Sequence, residues 1–273
     1  MLDALRALVP AADAPFEAWS QAVAKVAELV LQRGVLRAGD ATLRVLEVEG
    51  YVSAPSHPDP FTHADETQNS LGRWYFHRTG EGFRGGTYKG LDLTFGGGGV
   101  YAALLLRAAQ TEAGERVEGP SVLVDALLAA TGHATVASLA RACDEGEHDA
   151  LSLTLLDAPR GDAVYAGPRV GLTLRKDLDA ERVFFLARPY RYLVDPRGTK
   201  KGRLHVVLGM HAEGAPAPAI AGVTGSTQAQ VRRWIDAYEG GRALRVATLR
   251  AAEDGEALCA LFGACDAAFA RAR

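Results

Sequence analysis

The chain has 273 residues, 48% of them hydrophobic and 23% charged, which is the composition of a globular protein with enough apolar residues for a core. Its net charge of −3 argues against a surface covered with phosphate-binding cations, although Lys and Arg can still cluster locally. No run approaches the roughly 18 apolar residues of a membrane helix, and the N-terminus does not look like a secretion signal, so we expect a cytoplasmic protein. The three cysteines follow no paired spacing and are expected to be core residues in a reducing compartment.

The first predicted elements are a helix and a β-hairpin. Apolar residues recur at helical spacing from Phe16, and Gly34 is placed to end the helix. A hairpin follows, because alternating residues at 35–37 and 43–49 flank a short turn. We expect the second strand to break at Gly50 and to lead into a loop.

Two carboxylates stand close together on the second strand of this hairpin. Glu47 and Glu49 are two residues apart, so an ideal strand places them on the same face as the apolar Leu43 and Val45. A strand facing solvent would carry its acids opposite its apolar residues, so we expect at least one carboxylate to be partly buried and functional. Either acid could have this role, and both could instead be structural partners of Arg44 and Arg107.

The stretch from 53 to 86 is expected to be an irregular functional loop. It combines many Pro, Gly and His residues with the aromatic run Trp74–Phe76, which a plain linker rarely contains. A metal site is disfavoured, since the four candidate ligands follow no metal-binding spacing on a defined element; they are His57, Asp59, His63 and Asp65. We therefore expect no metal site at these residues.

Further along the chain, strands and helices follow one another without regular alternation. Strands are predicted at residues 87–95, 100–107, 151–156, 169–174, 190–194 and 204–208. Helices are predicted at residues 120–132, 136–143, 227–240 and 258–269. Two glycine-rich or small-residue stretches, 96–99 and 214–222, are expected to be connectors.

This order of elements predicts an α+β fold. We expect a single mixed domain with a mainly antiparallel, curved β core flanked by helices, followed by C-terminal amphipathic helices. The expected division is a main domain at residues 1–211 and a helical extension at residues 212–273 that packs on it.

The order of several short motifs resembles the alkyladenine (3-methyladenine) DNA glycosylase family over roughly residues 17–195. Each motif is weak by itself, but they follow one another in the order of the family. They are Glu47–Tyr51 (E-V-E-G-Y), Asp59–His63 (D-P-F-T-H), Phe95–Gly96, Leu105–Ala108 (L-L-R-A), Gly119–Leu127, Arg169–Gly171 and Pro189–Tyr192. The segment after about residue 195 has no counterpart in the resemblance.

The resemblance implies hydrolysis of an N-glycosidic bond without a metal or other cofactor. In this interpretation Glu49 is the general base that activates a water molecule, and its anion stabilises the positive charge that develops on the sugar. Arg107 corresponds to the family arginine that helps to hold the water, and the carbonyl region of Val170 is a further contact.

The resemblance also implies that DNA is the partner and that the target nucleotide is flipped out of the duplex. Tyr51 and His63 match residues of the base pocket, and Phe95 matches the aromatic wedge that fills the gap in the duplex. Phe95 could equally cap a strand. The second stacking tyrosine of the family falls on Asp92, which favours a cationic or hydrogen-bonding base; Tyr88 or Trp74 could supply a replacement ring. Candidate phosphate contacts are Arg73, Lys89, Arg188 and Arg191.

The leading hypothesis is therefore a monofunctional, monomeric DNA glycosylase that releases a damaged or alkylated purine. Two other functions stay open from the sequence. One is a protein that binds damaged nucleic acid without catalysis, and the other is an N-ribosyl hydrolase that acts on a nucleoside, a nucleotide or RNA.

Overall fold

The computed structural model describes residues 1–146, 150–174, 178–249, 252 and 254–272. Contacts between residues divide the chain into two units. Unit 1 comprises Met1–Pro58 and Thr62–Val164, and unit 2 comprises Asp59–Phe61 and Tyr165–Arg273. The α+β class and the mainly antiparallel sheet are confirmed. The expected division into domains at residues 1–211 and 212–273 stays a prediction.

Unit 1 combines an antiparallel sheet with helices. Its helices are α1 (Leu2–Arg6), α2 (Phe16–Arg33), α3 (Pro120–Thr131) and α4 (Val136–Glu145). Its strands are β1 (Gly34–Ala38), β2 (Ala41–Ala54), β3 (His57–Pro58), β4 (Leu71–Phe76), β5 (Arg78–Thr79), β6 (Gly82–Phe83), β7 (Leu91–Phe95), β8 (Tyr101–Thr111), β9 (Arg116–Glu118) and β10 (Leu151–Leu155). Two short 3₁₀ helices span Glu66–Gln68 and Gly86–Tyr88.

The sheet of unit 1 has the strand order β10-β1-β2-β8-β7-β4, and each neighbouring pair is antiparallel. Strand β3 extends it beside β2 and β9 extends it beside β8, whereas β5 and β6 form a separate hairpin. The predicted N-terminal helix, the hairpin β1–β2, and the predicted helices α3 and α4 are confirmed. Strand β2 lies near the middle of the sheet, so it can hold buried side chains on both faces.

The expected break at Gly50 is wrong, because β2 continues through it to Ala54. A Cβ atom on Gly50 would lie 2.2 Å from Cγ1 of Val23 on α2, so the glycine is needed where the helix packs closely on the sheet. The glycine therefore indicates a close helix–strand contact, and not the end of the strand.

The stretch 53–86 is more regular than predicted. Strand β4 pairs with β7, and Tyr75 and Phe76 on it are buried. Trp74 donates its indole N–H to the carbonyl of Leu151 at 3.2 Å. Residues 87–90 precede β7, so the strand predicted at 87–95 begins later, at Leu91. Between β7 and β8 the glycine connector forms a turn. A hydrogen bond from the Gly99 N–H to Asn69 Oδ1, 2.9 Å long, stabilises it.

Unit 2 is mainly helical. It contains two short paired strands, β11 (Tyr165–Gly167) and β12 (Arg191–Leu193). Its helices are α5 (Ala180–Leu186), α6 (Arg203–Ala212), α7 (Ala217–Thr224), α8 (Gln228–Gly241), α9 (Val246–Leu249) and α10 (Gly255–Ala272). The predicted strand at 190–194 and the two predicted C-terminal helices are confirmed as β12, α8 and α10. The side chain of Thr227 accepts from the N–H of Gln230 and caps the start of α8.

Three predictions in unit 2 are wrong. The apolar run 204–208 lies in α6, because a short apolar run fits a strand and a buried helix equally well and the following residues continue the helix. The predicted linker 214–222 largely forms α7, which starts after Pro216. Residues 169–174 form no strand. Of the three cysteines predicted to be core residues, Cys259 and Cys265 are buried, whereas Cys143 in unit 1 is only half-buried. Burial raises the pKa of the Cys259 and Cys265 thiols to about 12.

Within the described residues, no single helix is long and apolar enough to cross a membrane. Helices α3 and α4 pass that test only as a pair, which is bent by 66° at the break between them.

Candidate active site

The pairing between β2 and β8 is irregular at the position of the two candidate carboxylates. The register shifts between Val45 and Glu47 and shifts back between Glu47 and Val48. The first shift adds a residue on β2, and the second adds one on β8, Arg107. Such bulges change the direction of side chains and interrupt the simple two-residue alternation that the sequence prediction used.

Arg107 contacts both carboxylates of β2. Its Nε donates to Glu47 Oε1 at 2.8 Å, and its Nη1 donates to Glu49 Oε2 at 3.1 Å. The two carboxylate side chains are 3% and 0% exposed, and the arginine side chain is 11% exposed. We call these three side chains the acidic centre. The predicted burial of at least one carboxylate is thus confirmed for both.

The electrostatics of the acidic centre are those of a buried, charged group. Burial acts to lower the pKa of Arg107, but the charges of Glu49 and Glu47 outweigh it and raise that pKa above its ordinary value. The guanidinium therefore stays protonated at any physiological pH. Removing one partner from a buried pair of this kind typically costs about 3–5 kcal/mol.

Tyr51 contacts the acidic centre through its hydroxyl and is counted as its fourth member from here on. Its hydroxyl donates to Glu49 Oε2 at 3.0 Å, so this oxygen accepts from the phenol and from Arg107. The ring is partly exposed, whereas Glu49 is buried. The structure therefore brings together three of the predicted site residues, Glu49, Tyr51 and Arg107.

A second polar cluster is built around Asp92 on β7. This buried carboxylate accepts from the side-chain amide of Gln68 at 3.1 Å, and its other oxygen lies 2.7 Å from Nε2 of His77. Gly90 leaves room for the imidazole, since a Cβ there would lie 2.4 Å from His77 Nδ1. Sequence reasoning identified Asp92 but missed His77 and Gln68, because neither lies in a motif.

His63 borders this cluster. Its Nδ1 lies 3.1 Å from the hydroxyl of Tyr75, and its ring packs edge-on against His77 with centroids 4.4 Å apart. Partial burial of the ring, followed by the charge of His77, lowers the pKa of His63 to about 4, although one side of this residue is exposed to solvent. The imidazole is therefore neutral at neutral pH and can both donate and accept a hydrogen bond. We call His63, Tyr75, His77, Asp92 and Gln68 the histidine cluster.

The strand register relates the two groups. Tyr75 pairs with Asp92, Asp92 pairs with Leu105, and Leu105 pairs with Glu49. Directly paired residues of antiparallel strands project from the same face of a sheet, so these four side chains form a row across β4, β7, β8 and β2. Asp92 and Glu49 are two strand spacings apart, which is about 10 Å. The acidic centre and the histidine cluster thus share one face.

Phe95 does not occupy the position expected of a wedge. Its side chain is completely buried at the end of β7, where it caps the strand, whereas a residue that enters a duplex must be exposed. The structure favours the alternative interpretation of Phe95 as a core residue. The signal was ambiguous because aromatic residues before glycine occur in both situations.

The four candidate phosphate contacts have different surroundings. Arg73 pairs with Asp144 at 2.8 Å, and Lys89 pairs with Asp125 at 2.7 Å. Arg191 is fully buried and donates to the carbonyl of Gly202 at 2.6 Å, so this structure gives its predicted phosphate contact no support and the role stays a prediction.

Arg188 belongs to unit 2. Its guanidinium lies over the ring of Phe184, 3.9 Å from the centroid, and near Phe269 at 4.8 Å. These contacts fix a cation in aromatic surroundings, so a phosphate contact by this residue stays a prediction.

Val170 also lies in unit 2, in an irregular segment, and its predicted role stays a prediction. The residue before it, Arg169, belongs to one of the sequence motifs but was not proposed as a site residue. Arg169 is buried and forms a two-pronged ion pair with buried Asp59, in which Nη2 lies 3.2 Å from Oδ1. Two short motifs of the sequence, around residues 59 and 169, therefore meet in the core of unit 2.

The side chains considered as metal ligands have other contacts. His57 is stacked on Phe16 with its Nδ1 3.1 Å from the carbonyl of Val52, and Asp65 caps the 3₁₀ helix through the N–H of Thr67 at 2.9 Å. Among the described residues, no group of three or more His, Cys, Asp or Glu side chains has the arrangement of a metal site.

No family model matches the sequence. The chain is 28% identical over 198 residues to an uncharacterized protein of Acanthamoeba polyphaga mimivirus, and the match covers 64% of this chain and 87% of the viral protein. The viral protein's name assigns it no activity. The similarity therefore relates the two sequences but gives no information about a reaction.

Proposed function

We propose that this protein is a monofunctional DNA glycosylase that hydrolyses the N-glycosidic bond of a damaged purine. The observation that carries the proposal is the buried Glu49 carboxylate, which accepts hydrogen bonds from Tyr51 and Arg107 on a rigid central strand. The ordered motifs of the sequence, which resemble those of alkyladenine DNA glycosylases, supply the reaction class.

Hydrolysis of the N-glycosidic bond requires a general base and a negative charge beside the sugar. In the proposed reaction, Glu49 takes a proton from a water molecule, whose oxygen forms a bond to C1′ of the nucleotide. The bond between C1′ and the purine nitrogen breaks, the base leaves with the bonding electrons and takes up one proton from solvent, and Glu49 then returns its proton to solvent. The carboxylate also stabilises the cationic sugar of the transition state, while Tyr51 and Arg107 fix the orientation of its oxygen.

The histidine cluster supports recognition of the base by hydrogen bonding. Where the family has a stacking tyrosine, this chain has Asp92, whose carboxylate is held between Gln68 and His77. His63 presents a neutral imidazole beside it. Such groups suit the polar edge of a flipped base more than its flat face. Because Glu49 has no exposed surface in the free protein, binding of the nucleotide requires movement of the side chains that cover it.

The proposal includes DNA as the partner, action as a monomer, a cytoplasmic location and a reaction without a metal or other cofactor.

Base release from a panel of duplexes tests the proposal. The panel contains alkylated, deaminated and etheno-modified purines and an undamaged control, and abasic sites are counted after incubation with the wild type and with Glu49→Gln. We expect abasic product from at least one lesion, which the variant fails to form while it still binds the duplex.

A matched control is Glu66→Gln. Glu66 also accepts a hydrogen bond from a tyrosine, from Tyr101 at 2.9 Å, but it lies outside the acidic centre. This variant should release the base at the wild-type rate. Binding without product from any lesion would contradict the proposal and favour a protein that recognises damage without catalysis.

A further inference from the structure

The segment from Arg78 to Lys89, which we call the arm, has a surface unlike the rest of unit 1. It contains the β5–β6 hairpin and the following 3₁₀ helix, and Tyr88 at its end is 76% exposed. Tyrosine carries a flat apolar ring with a polar hydroxyl, and here most of that ring is open to a ligand on the surface. The arm carries three cations and a single acid, Glu81.

The base of the arm is rigid. Phe83 pairs with Arg78 across the hairpin, and the Arg78 guanidinium lies 4.6 Å from the centroid of the Phe83 ring. On another side the ring packs edge-on against the buried Phe76, with centroids 6.4 Å apart. The Phe83 ring is therefore held in place before any ligand arrives.

The far end of the arm is attached to α3. The hydroxyl of Ser121 donates to the carbonyl of Gly86 at 2.7 Å, and Lys89 pairs with Asp125 at 2.7 Å. The contacts on both sides of Tyr88 hold its backbone while its ring stays in solvent. Lys89 thus anchors the arm, and its predicted direct contact with phosphate is not needed for this role.

The arm encloses a cleft of about 350 Å³. It is lined by Thr79, Phe83, Arg84, Gly85 and Tyr88. Arg84 Nε donates to the carbonyl of Arg78 at 2.9 Å and to the hydroxyl of Thr79 at 3.2 Å. Within the described part of the chain these are the hydrogen bonds of the Arg84 side chain, so its two terminal amino groups are available to a ligand.

We propose that this cleft binds one unpaired nucleobase of a nucleic acid strand. The base stacks on the Tyr88 ring, and the terminal amino groups of Arg84 contact the adjoining phosphate. Two aromatic rings beside a guanidinium are the combination with which proteins bind single strands without sequence preference. Tyrosine and arginine are also enriched in protein interfaces, so the binding experiment below has to distinguish a nucleic acid strand from a protein partner.

The cleft is distinct from the acidic centre and goes beyond the proposed function. It needs neither Glu49 nor hydrolysis, so it can be tested alone. It is nevertheless connected to the histidine cluster, because the backbone N–H of Arg84 donates to the carbonyl of His77 at 2.9 Å. A strand held at the arm would therefore be anchored next to the cluster proposed to recognise the flipped base.

Binding of a fluorescently labelled single-stranded DNA 12-mer, followed by anisotropy, tests the cleft. Tyr88→Ala should weaken binding by about 5-fold to 150-fold, the effect of one lost stacking contact. Tyr88→Phe keeps the ring and should bind like the wild type. The matched control is Val122→Ala, which removes an exposed apolar side chain of the neighbouring helix α3 and should have no effect.

The salt dependence of binding tests the phosphate contact. A plot of log affinity against log salt concentration has a negative slope. Arg84→Ala should make this slope less steep by about 0.7, the value for one phosphate of a single strand. Absence of binding by the wild type, or wild-type binding by Tyr88→Ala, would overturn the inference. If the enzymatic proposal is wrong, no base is released in the glycosylase assay, but the binding affinities described here are unaffected. The two proposals can therefore fail independently.

Discussion

Replacement of Arg107 by Met should strongly destabilise the protein at neutral pH. The substitution keeps the length of the side chain but removes the guanidinium that contacts both Glu47 and Glu49, whose side chains are 3% and 0% exposed. Breaking a buried ion pair costs about 3–5 kcal/mol, because the remaining charge is left in a medium of low polarity. Urea denaturation at pH 7 measures this difference as a change in the free energy of unfolding.

The pH dependence distinguishes lost charge from lost packing. Without the guanidinium, the buried negative charge of the two carboxylates is no longer compensated. The penalty should be fully present at neutral pH and should fade in acid, where carboxyl groups take up protons. A matched control is Arg73→Met, whose exposed partner is Asp144, with an expected change below about 1 kcal/mol. An Arg107→Met effect as small as the control, or one independent of pH, would refute this description of the acidic centre.

Further predictions concern the packing of β2, unit 2 and the histidine cluster. Gly50→Ala should cost about 1–3 kcal/mol through overpacking against α2, and a second substitution, Val23→Ala, should recover part of it; a neutral Gly50→Ala in thermal unfolding would contradict the close contact. Asp59→Asn removes the charged partner of buried Arg169 and should cost about 3–5 kcal/mol in denaturant, whereas a loss below about 1 kcal/mol would show that the pair is not buried in solution. His63 should titrate near pH 4 by NMR, so its contribution to stability is present above pH 6.5 and is lost as the pH falls toward 4; a midpoint at 6.5 would show that the ring is not desolvated.

The sequence predicted best the elements whose signals are local. The helix from Phe16 to Arg33 and the hairpin that follows combine clear periodicity with a turn, and both have the expected boundaries to within a few residues. The burial of Glu47 and Glu49 was also predictable, because acids interrupt an apolar strand only where another group compensates them. The irregular register that lets Arg107 reach both carboxylates depends on pairing between strands 60 residues apart, which no local pattern contains.

The failures have a common physical cause. Helix α6, helix α7 and strand β4 are short, and in short segments the apolar pattern fits more than one secondary structure until tertiary packing decides. The buried pair of Asp59 and Arg169 likewise joins segments 110 residues apart. In the histidine cluster, Asp92 was noticed only because it replaced an expected aromatic residue. Its partners His77 and Gln68 come from different elements and could not have been paired from the sequence.

The most direct test of the central claim is a comparison of Glu49→Gln with Glu47→Gln in single-turnover base release. Both glutamates are buried and both contact Arg107, so the two variants disturb the acidic centre in a similar way and differ in which oxygen atoms are lost. Loss of a general base lowers the rate by about 10²–10⁴-fold. We expect that loss for Glu49→Gln with unchanged affinity for the lesion duplex, and a much smaller loss for Glu47→Gln. A slow Glu47→Gln beside an active Glu49→Gln would contradict the assignment of Glu49 as the base.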